Sequence, residues 1–336
     1  MQVPVSLSES AVGKRSRALL TQMRVRARHP GDFIFRSVTT LFVLIVLAIV
    51  LGIAWILLSD SWPTIQTFGL SFLTNNTFDP VHNVFGVAAA IYGTLLTSAI
   101  ALVLATPVGI GAAIFLTDFC PRRIKAPLAF LIDSLAAIPS IVLGLWGFLA
   151  FAPWLQHTGE PWLQQHFGFL PFFQGPMHGY GILAASLILS LMILPLITAI
   201  SREVMAVVPR GQREGLLALG ATRWEVIRYA VLPFARVGIT GGVILALGRA
   251  LGETIAVTLV IGNETNAPSL HFFDTGYTLA SVIANQFTEA TPGSLFFSAI
   301  IEAGFILLIL TLITNVLARV LVARLGRRSR VGGLIV

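Results

Sequence analysis

Six stretches of this chain are long and apolar enough to cross a lipid hydrocarbon core, and that constrains its fold more than any other feature. A crossing helix needs about 20 apolar residues, because each residue advances about 1.5 Å through a core about 30 Å thick. The stretches are Val38–Leu58, Val84–Leu116, Ala126–Phe151, Tyr180–Ile200, Val237–Ile261 and Leu295–Val322. In hydrocarbon every backbone polar group must be satisfied internally. The reading is therefore an all-α, polytopic membrane protein with six transmembrane helices. Composition agrees. Only 11% of the residues are charged, against about one quarter in soluble domains, and the mean hydropathy is +0.86. A water-soluble or disordered chain is excluded. Pro107, Pro139 and Pro195 fall in the second, third and fourth stretches, where proline frees a backbone carbonyl and predicts a kink. The first stretch follows more than thirty residues and precedes no small-residue cleavage site, so it is expected to stay as a span rather than leave as a leader.

The net charge of +7 is unevenly placed. The 22 Lys and Arg residues concentrate in the N-terminal segment 1–37, in the loop after the second span, in the loop 201–236 and at the C-terminal end, where Arg319 is grouped with the tail 323–336. The alternate loops near 59–83, 152–179 and 262–294 hold none, but do hold Asp60, Asp79, Glu160, Glu264, Asp274 and Glu289. The positive-inside rule predicts both termini and the basic loops in the cytoplasm, and an even span count fits that. The basic residues thus report topology, and no nucleic-acid partner is expected. One cation is left over. Arg249 lies about 11 residues into the fifth span, roughly 16 Å deep and near the midplane.

The loop 201–236 reads as two short helices. Pro209 opens the first, and Gly220 stands where a helix C-terminus favours a left-handed residue. Thr222 and Glu225 have the spacing of a capping box for the second, and Pro233 is expected to break the run before the fifth span. A hairpin of this kind either presses into a groove on a partner or lies on the membrane surface. The string Glu214-Gly215-Leu216, then Gly220, then Leu232-Pro233 resembles the EAA loop of ABC-importer permeases. Gly215 and Leu216 stand where that loop usually has alanine. The resemblance implies the type I (MetI-like) permease fold. It also implies that Glu214, Gly215, Gly220, Ala221, Thr222, Leu232 and Pro233 belong to a coupling helix that docks on an ATP-binding subunit.

The most specific string is Gly248-Arg249-Ala250-Leu251-Gly252-Glu253-Thr254. Continuous helix would put Arg249 and Glu253 on one face, each able to neutralise the other. Such a pair serves either to fix helix packing or to carry an anion. Arginine suits phosphate or carboxylate oxygens and keeps its proton, and a nearby glutamate would keep binding weak enough for release. Gly238 and Gly242, also four apart, fit close helix packing.

With Phe85-Gly86, Tyr92-Gly93-Thr94, Ala137-Ile138-Pro139-Ser140, Gly144-Leu145-Trp146-Gly147 and Met192-Ile193-Leu194-Pro195, this string is similar to the permeases of phosphate-specific (Pst) importers. It is nearer the C-type than the A-type. The resemblance implies Arg249, Glu253 and Thr254 on a phosphate path. It implies an A-type permease as heterodimer partner, two ATPase subunits that hold ATP and magnesium, an extracytoplasmic phosphate-binding protein, and a bacterial inner membrane. Permeases for molybdate or sulfate, and secondary anion carriers, are the neighbouring readings. A secondary carrier would show inverted repeats and broken helices at the midplane; the sequence holds no clear internal repeat, and a coupling loop would have no purpose in such a carrier.

Little else carries chemistry. Lys14 and Lys125 complete no Walker A loop, so this chain is expected to bind no nucleotide itself and to be no enzyme. The six histidines lack metal-site spacing. Single Cys120 excludes an internal disulfide. Asp133 is expected to pair or cap locally. Glu302 has no assigned role. The loop Ala152 to Gly179, rich in Trp and Phe, fits either an aromatic belt or a surface that receives a binding protein.

Overall fold

The structure is a computed structural model that describes residues 30–264 and 270–331. Most of the expected N-terminal segment and the last five residues of the tail lie outside the described residues. Two compact units divide the chain, residues 1–56 and 57–336. The first helix, α1 (Pro30–Phe68), begins in the first unit and ends in the second. It outruns the expected span at both ends. Its residues from Leu41 to Ile53 are all exposed and apolar, a surface that suits lipid and not water.

In the second unit the helices are α2 (Ala88–Phe119), α3 (Arg122–Leu135), α4 (Ser140–Phe167), α5 (Ile182–Ala206), α6 (Arg210–Ala218), α7 (Arg223–Leu251), α8 (Ile255–Val260), α9 (Leu279–Gln286) and α10 (Leu295–Val331). No strand occurs among the described residues. Among the described residues five helices, α1, α2, α5, α7 and α10, are long and apolar enough to span alone. The sixth candidate is the pair α3 and α4, which meet at 87°.

That bend corrects the expected third span over Ala126–Phe151. Pro139 does not kink a continuous helix; it ends one. The chain leaves helix at Ala136, Pro139 is extended with ψ 137°, and Ser140 starts afresh. Proline disfavours helical geometry in the residue before it and lacks an N–H to continue the ladder. α3 is amphipathic and has no buried side chain. α4 continues to Phe167, through residues expected to be loop. Pro107 and Pro195, by contrast, sit inside α2 and α5, which run through both.

A second correction concerns Pro233. It does not break the run into the fifth span, because α7 is helical from Arg223 to Leu251. Residues Ile227–Val231 form a π-helical turn just before it. The wider turn relieves the clash that proline would make with the carbonyl of the preceding turn.

The bundle closes around α5. Ala101 and Ala105 of α2, Leu189, Ile193 and Ile197 of α5, and Ala246 and Ala250 of α7 form one buried cluster. Small residues set the approach, as expected of helices in lipid. A Cβ built on Gly238 would lie 2.5 Å from Val204 Cγ2, and one on Gly242 would lie 2.8 Å from Ile200 Cγ2. α7 therefore packs on α5 through glycine. α8 approaches α4 in the same way, since a Cβ on Gly144 would lie 2.8 Å from Ala256 Cα.

At the opposite end from the basic loops the connections are themselves packed. Phe172 stacks on Phe272 at 5.1 Å, and Phe272 N–H donates to the Phe172 carbonyl at 2.9 Å. Buried Glu160 accepts from Gly179 N–H at 3.0 Å. The aromatic segment therefore folds partly inward onto residues 270–278, while Phe169 and Trp162 stay exposed.

Candidate functional site

The fifth span is broken where its charged string lies. α7 ends at Leu251, Gly252 caps it, and α8 starts at Ile255. This corrects the expected unbroken helix over Val237–Ile261. It also removes the shared face of Arg249 and Glu253, which requires helical geometry across both. The arginine ion pairs among the described residues are Arg202–Asp133 and Arg213–Asp118, so Arg249 and Glu253 do not neutralise each other. Glu253 instead turns to the next helix, where its Oε1 accepts from Ala256 N–H at 3.4 Å. Thr254 Oγ donates to the Gly252 carbonyl at 3.2 Å, inside the break.

Arg249 is left in the last turn of α7 with its side chain exposed. A cation there is favoured by the negative end of the helix dipole. A guanidinium deep in a span, unpaired and at the edge of non-helical backbone, is a functional position by default. Non-helical backbone at such depth occurs where it lines protein or a watered cavity. Behind the break, Gly144 and Gly147 of α4 admit α8 against Ala256 and Val260. These glycines carry no chemistry; they hold the second half-helix in place. Tyr92-Gly93-Thr94 has a similar task. A Cβ on Gly93 would fall 2.1 Å from the Tyr277 carbonyl oxygen, and Thr94 Oγ accepts from Leu279 N–H at 2.9 Å, fixing the start of α9.

The second candidate region is the basic hairpin. Arg210–Ala218 is helical, and Gly220 follows with φ +86°. Ala221 N–H donates to the Leu216 carbonyl and Gly220 N–H to that of Leu217, a Schellman closure that needs a left-handed residue at Gly220. Thr222 and Glu225 make the reciprocal capping box at the start of α7. Glu214, Gly215, Gly220 and Thr222 are exposed, Ala221 and Leu232 half-buried, and Pro233 exposed. The apolar tip is bare: Leu219 is 84% exposed, and Leu217 and Trp224 about half.

Two acids gain partners that the sequence does not reveal. Asp118, in the π-helical last turn of α2, forms an ion pair with Arg213. Arg213 also donates to the Met205 carbonyl at 2.8 Å, and Thr117 Oγ donates to Asp118 at 2.8 Å. Asp133 of α3 accepts from Arg202 of α5 at 3.1 Å. Neither partner is close in sequence, so no local pattern signals it. Glu302 is buried on α10, and its Oε2 has no hydrogen-bond partner among the described residues.

The binding-protein-dependent transport system inner membrane component model matches residues 105–328. The phosphate transport system permease protein PstC of Mesorhizobium japonicum is 44% identical over 89% of this chain and 92% of its own length. That of Haemophilus influenzae is 42% identical over 88% and 94%. Among solved structures, a chain of the MetNI methionine ABC transporter in inward-facing conformations covers 75% of this chain and 99% of its own. Its TM-score is 0.51 at 17% identity, a likeness of fold alone. The matched region contains both the broken fifth span and the basic hairpin, and the chain belongs to the binding-protein-dependent transport system inner membrane components and, within them, to the PstC permeases.

Proposed function

We propose that this chain is the C-type permease subunit of an ABC importer for inorganic phosphate and forms half of the translocation pathway. The single observation that carries the site is Arg249, an exposed guanidinium without an ion-pair partner among the described residues, at a helix break inside a span. Arginine's planar donors match a tetrahedral oxyanion, and it stays charged throughout transport. Glu253 and Thr254 shape the break beside it. Glu253 lowers the local positive potential, so that the anion is held weakly enough to move on.

The basic hairpin faces the cytoplasm in this reading, with both termini on the same side. Its bare apolar tip docks on an ATP-binding subunit. An A-type permease supplies the other half of the path, two ATPase subunits hold ATP and magnesium, and an extracytoplasmic binding protein delivers phosphate. This chain supplies no catalytic group. The test is Arg249→Gln in the complete transporter. Phosphate uptake is expected to vanish while the subunits still co-purify. Wild-type uptake by that variant would sink the assignment.

A further inference from the structure

The outward face of α7 does not end at Arg249. From the adjacent Gly248 a face runs back through Leu245, Gly241 and Val237, one every three or four residues. Two grooves open along this face. One, of about 500 Å³, lies against α10 and is bordered by Gly248, Leu312, Asn315 and Val316. The other, of about 620 Å³, lies toward α5 and is bordered by Val204, Gly238, Gly241 and Gly242. Ile244, Leu245 and Arg319 border both. The two grooves therefore form one trough, with a single cation at its junction.

Sequence position alone assigns Arg319 to the topology signal of the C-terminal end. The structure gives it a different setting. α10 remains helical and span-like to Val320, and Arg319 is the last of three polar residues four apart, Thr311, Asn315 and Arg319, all bordering the trough. That spacing makes a polar stripe on one helix face. Within the span such residues are costly and mark a path rather than a lipid face. Asn315 stands opposite Gly248, its Nδ2 3.6 Å from where a Cβ would lie. The missing side chain leaves the trough open at Gly248, the residue next to Arg249, although Arg249 itself borders neither groove. Neither Arg319 nor Asn315 has an ion-pair or hydrogen-bond partner among the described residues.

We propose that Arg319, with Asn315, is a second oxyanion station on the route, about one helical turn (roughly 6 Å) nearer the basic-loop side than Arg249. The occupant is inorganic phosphate in transit. The proposal rests on the reading of Arg249 as the first station. An anion leaving Arg249 otherwise enters a trough lined by Ile, Leu, Val and Gly, where an unpaired charge is strongly disfavoured. A second guanidinium one turn on divides that step into two short ones, and several weak sites in series are what conduction requires. Glycine at 241 and 248 leaves this face of α7 without side chains that would block the anion.

The experiment uses the whole transporter, purified with all its subunits and reconstituted in vesicles of phosphatidylcholine alone or with added phosphatidylglycerol. Labelled phosphate uptake and ATP hydrolysis are measured together. Arg319→Gln is expected to lower uptake per ATP about tenfold, the scale of one lost charged hydrogen bond. Arg319→Lys is expected to retain most uptake, and Asn315→Ala to lose two- to threefold, also on the hydrogen-bond scale. These losses should be equal in both vesicle types. Wild-type uptake by Arg319→Gln and Asn315→Ala, with Arg249→Gln inactive, overturns the second station alone. Wild-type uptake by Arg249→Gln as well overturns the first station too. A loss confined to vesicles with phosphatidylglycerol assigns Arg319 to a lipid headgroup and overturns the proposal. So does failure of both Arg319→Gln and Asn315→Ala to co-purify with the other subunits, which would make the trough an assembly contact.

Discussion

Asp118 and Arg213, separated by 95 residues, clamp the basic hairpin to the last turn of α2. The pair is largely sheltered, with side-chain exposures of 15% and 24%. Arg213 also reaches the Met205 carbonyl at the end of α5. One side chain therefore ties α6 to two spans. Push the hairpin and both spans feel it. Among the described residues, Arg213→Ala leaves Asp118 with only the Thr117 hydroxyl. The expected cost is about 1–3 kcal/mol of local stability, visible as faster proteolytic nicking of residues 207–222 and as ATP hydrolysis poorly coupled to uptake. The double reversal Asp118→Arg with Arg213→Asp should recover part of both. Wild-type protease resistance and coupling in Arg213→Ala would remove the clamp from the mechanism.

Gly144 sets the position of the half-helix after the break. A Cβ there meets Ala256 Cα and Leu259 Cδ1, each at 2.8 Å. Leu259 can turn aside, but the backbone of α8 cannot. Gly144→Ala is expected to cost about 1–3 kcal/mol by overpacking and to lower the thermal midpoint in detergent. Gly111→Ala is the control, since nothing lies within 4 Å of a Cβ there. It should be neutral or stabilising by about 0.5–1 kcal/mol, because glycine weakens a helix interior. Equal midpoints for the two variants would mean that α4 and α8 are not in contact through Gly144.

Thr94 carries a buried acceptor for Leu279 N–H. Thr94→Val keeps the shape and removes the oxygen, so the amide at the start of α9 is left dry. The expected loss is about 1–3 kcal/mol, with Thr94→Ser close to wild type. Thermal unfolding of the purified permease separates the two. A Thr94→Val midpoint within error of Thr94→Ser would show that water or another group satisfies Leu279.

Features that depend on neighbours along the chain were legible. Gly220 takes the left-handed conformation, and Thr222 with Glu225 makes the capping box that their spacing implies. Both are local devices, set within five residues. Features that depend on where apolar helix stops being straight were not. Ala126–Phe151 is apolar enough throughout to read as one span, and hydropathy does not register the right-angled break at Pro139. The fifth span breaks after Leu251 for a similar reason: Thr254 Oγ donates to the Gly252 carbonyl and Glu253 accepts from Ala256 N–H, and helix periodicity cannot weigh such local bonds. Pro233 fails in the opposite direction, since the π turn that accommodates it has no sequence signature. The clamp of Asp118 and Arg213 joins distant segments, and one chain without its relatives gives no sign of it.

The hairpin tip separates docking from folding. A Cβ on Gly220 meets nothing within 4 Å, and Leu219 beside it is 84% exposed. Substitutions there disturb no internal packing. Gly220→Ala pays only for the left-handed backbone, about 1 kcal/mol, and should remain assembled. Gly220→Asp and Leu219→Asp add a charge to the bare apolar tip, where a docking partner would have to bury it unpaired. On the proposed reading both release the ATP-binding subunits during purification, while the permease keeps its thermal midpoint apart from the small backbone cost at Gly220. Retention of those subunits by Leu219→Asp would place the docking surface elsewhere on the basic face. A midpoint that falls by many degrees would mean that the tip packs against the permease itself.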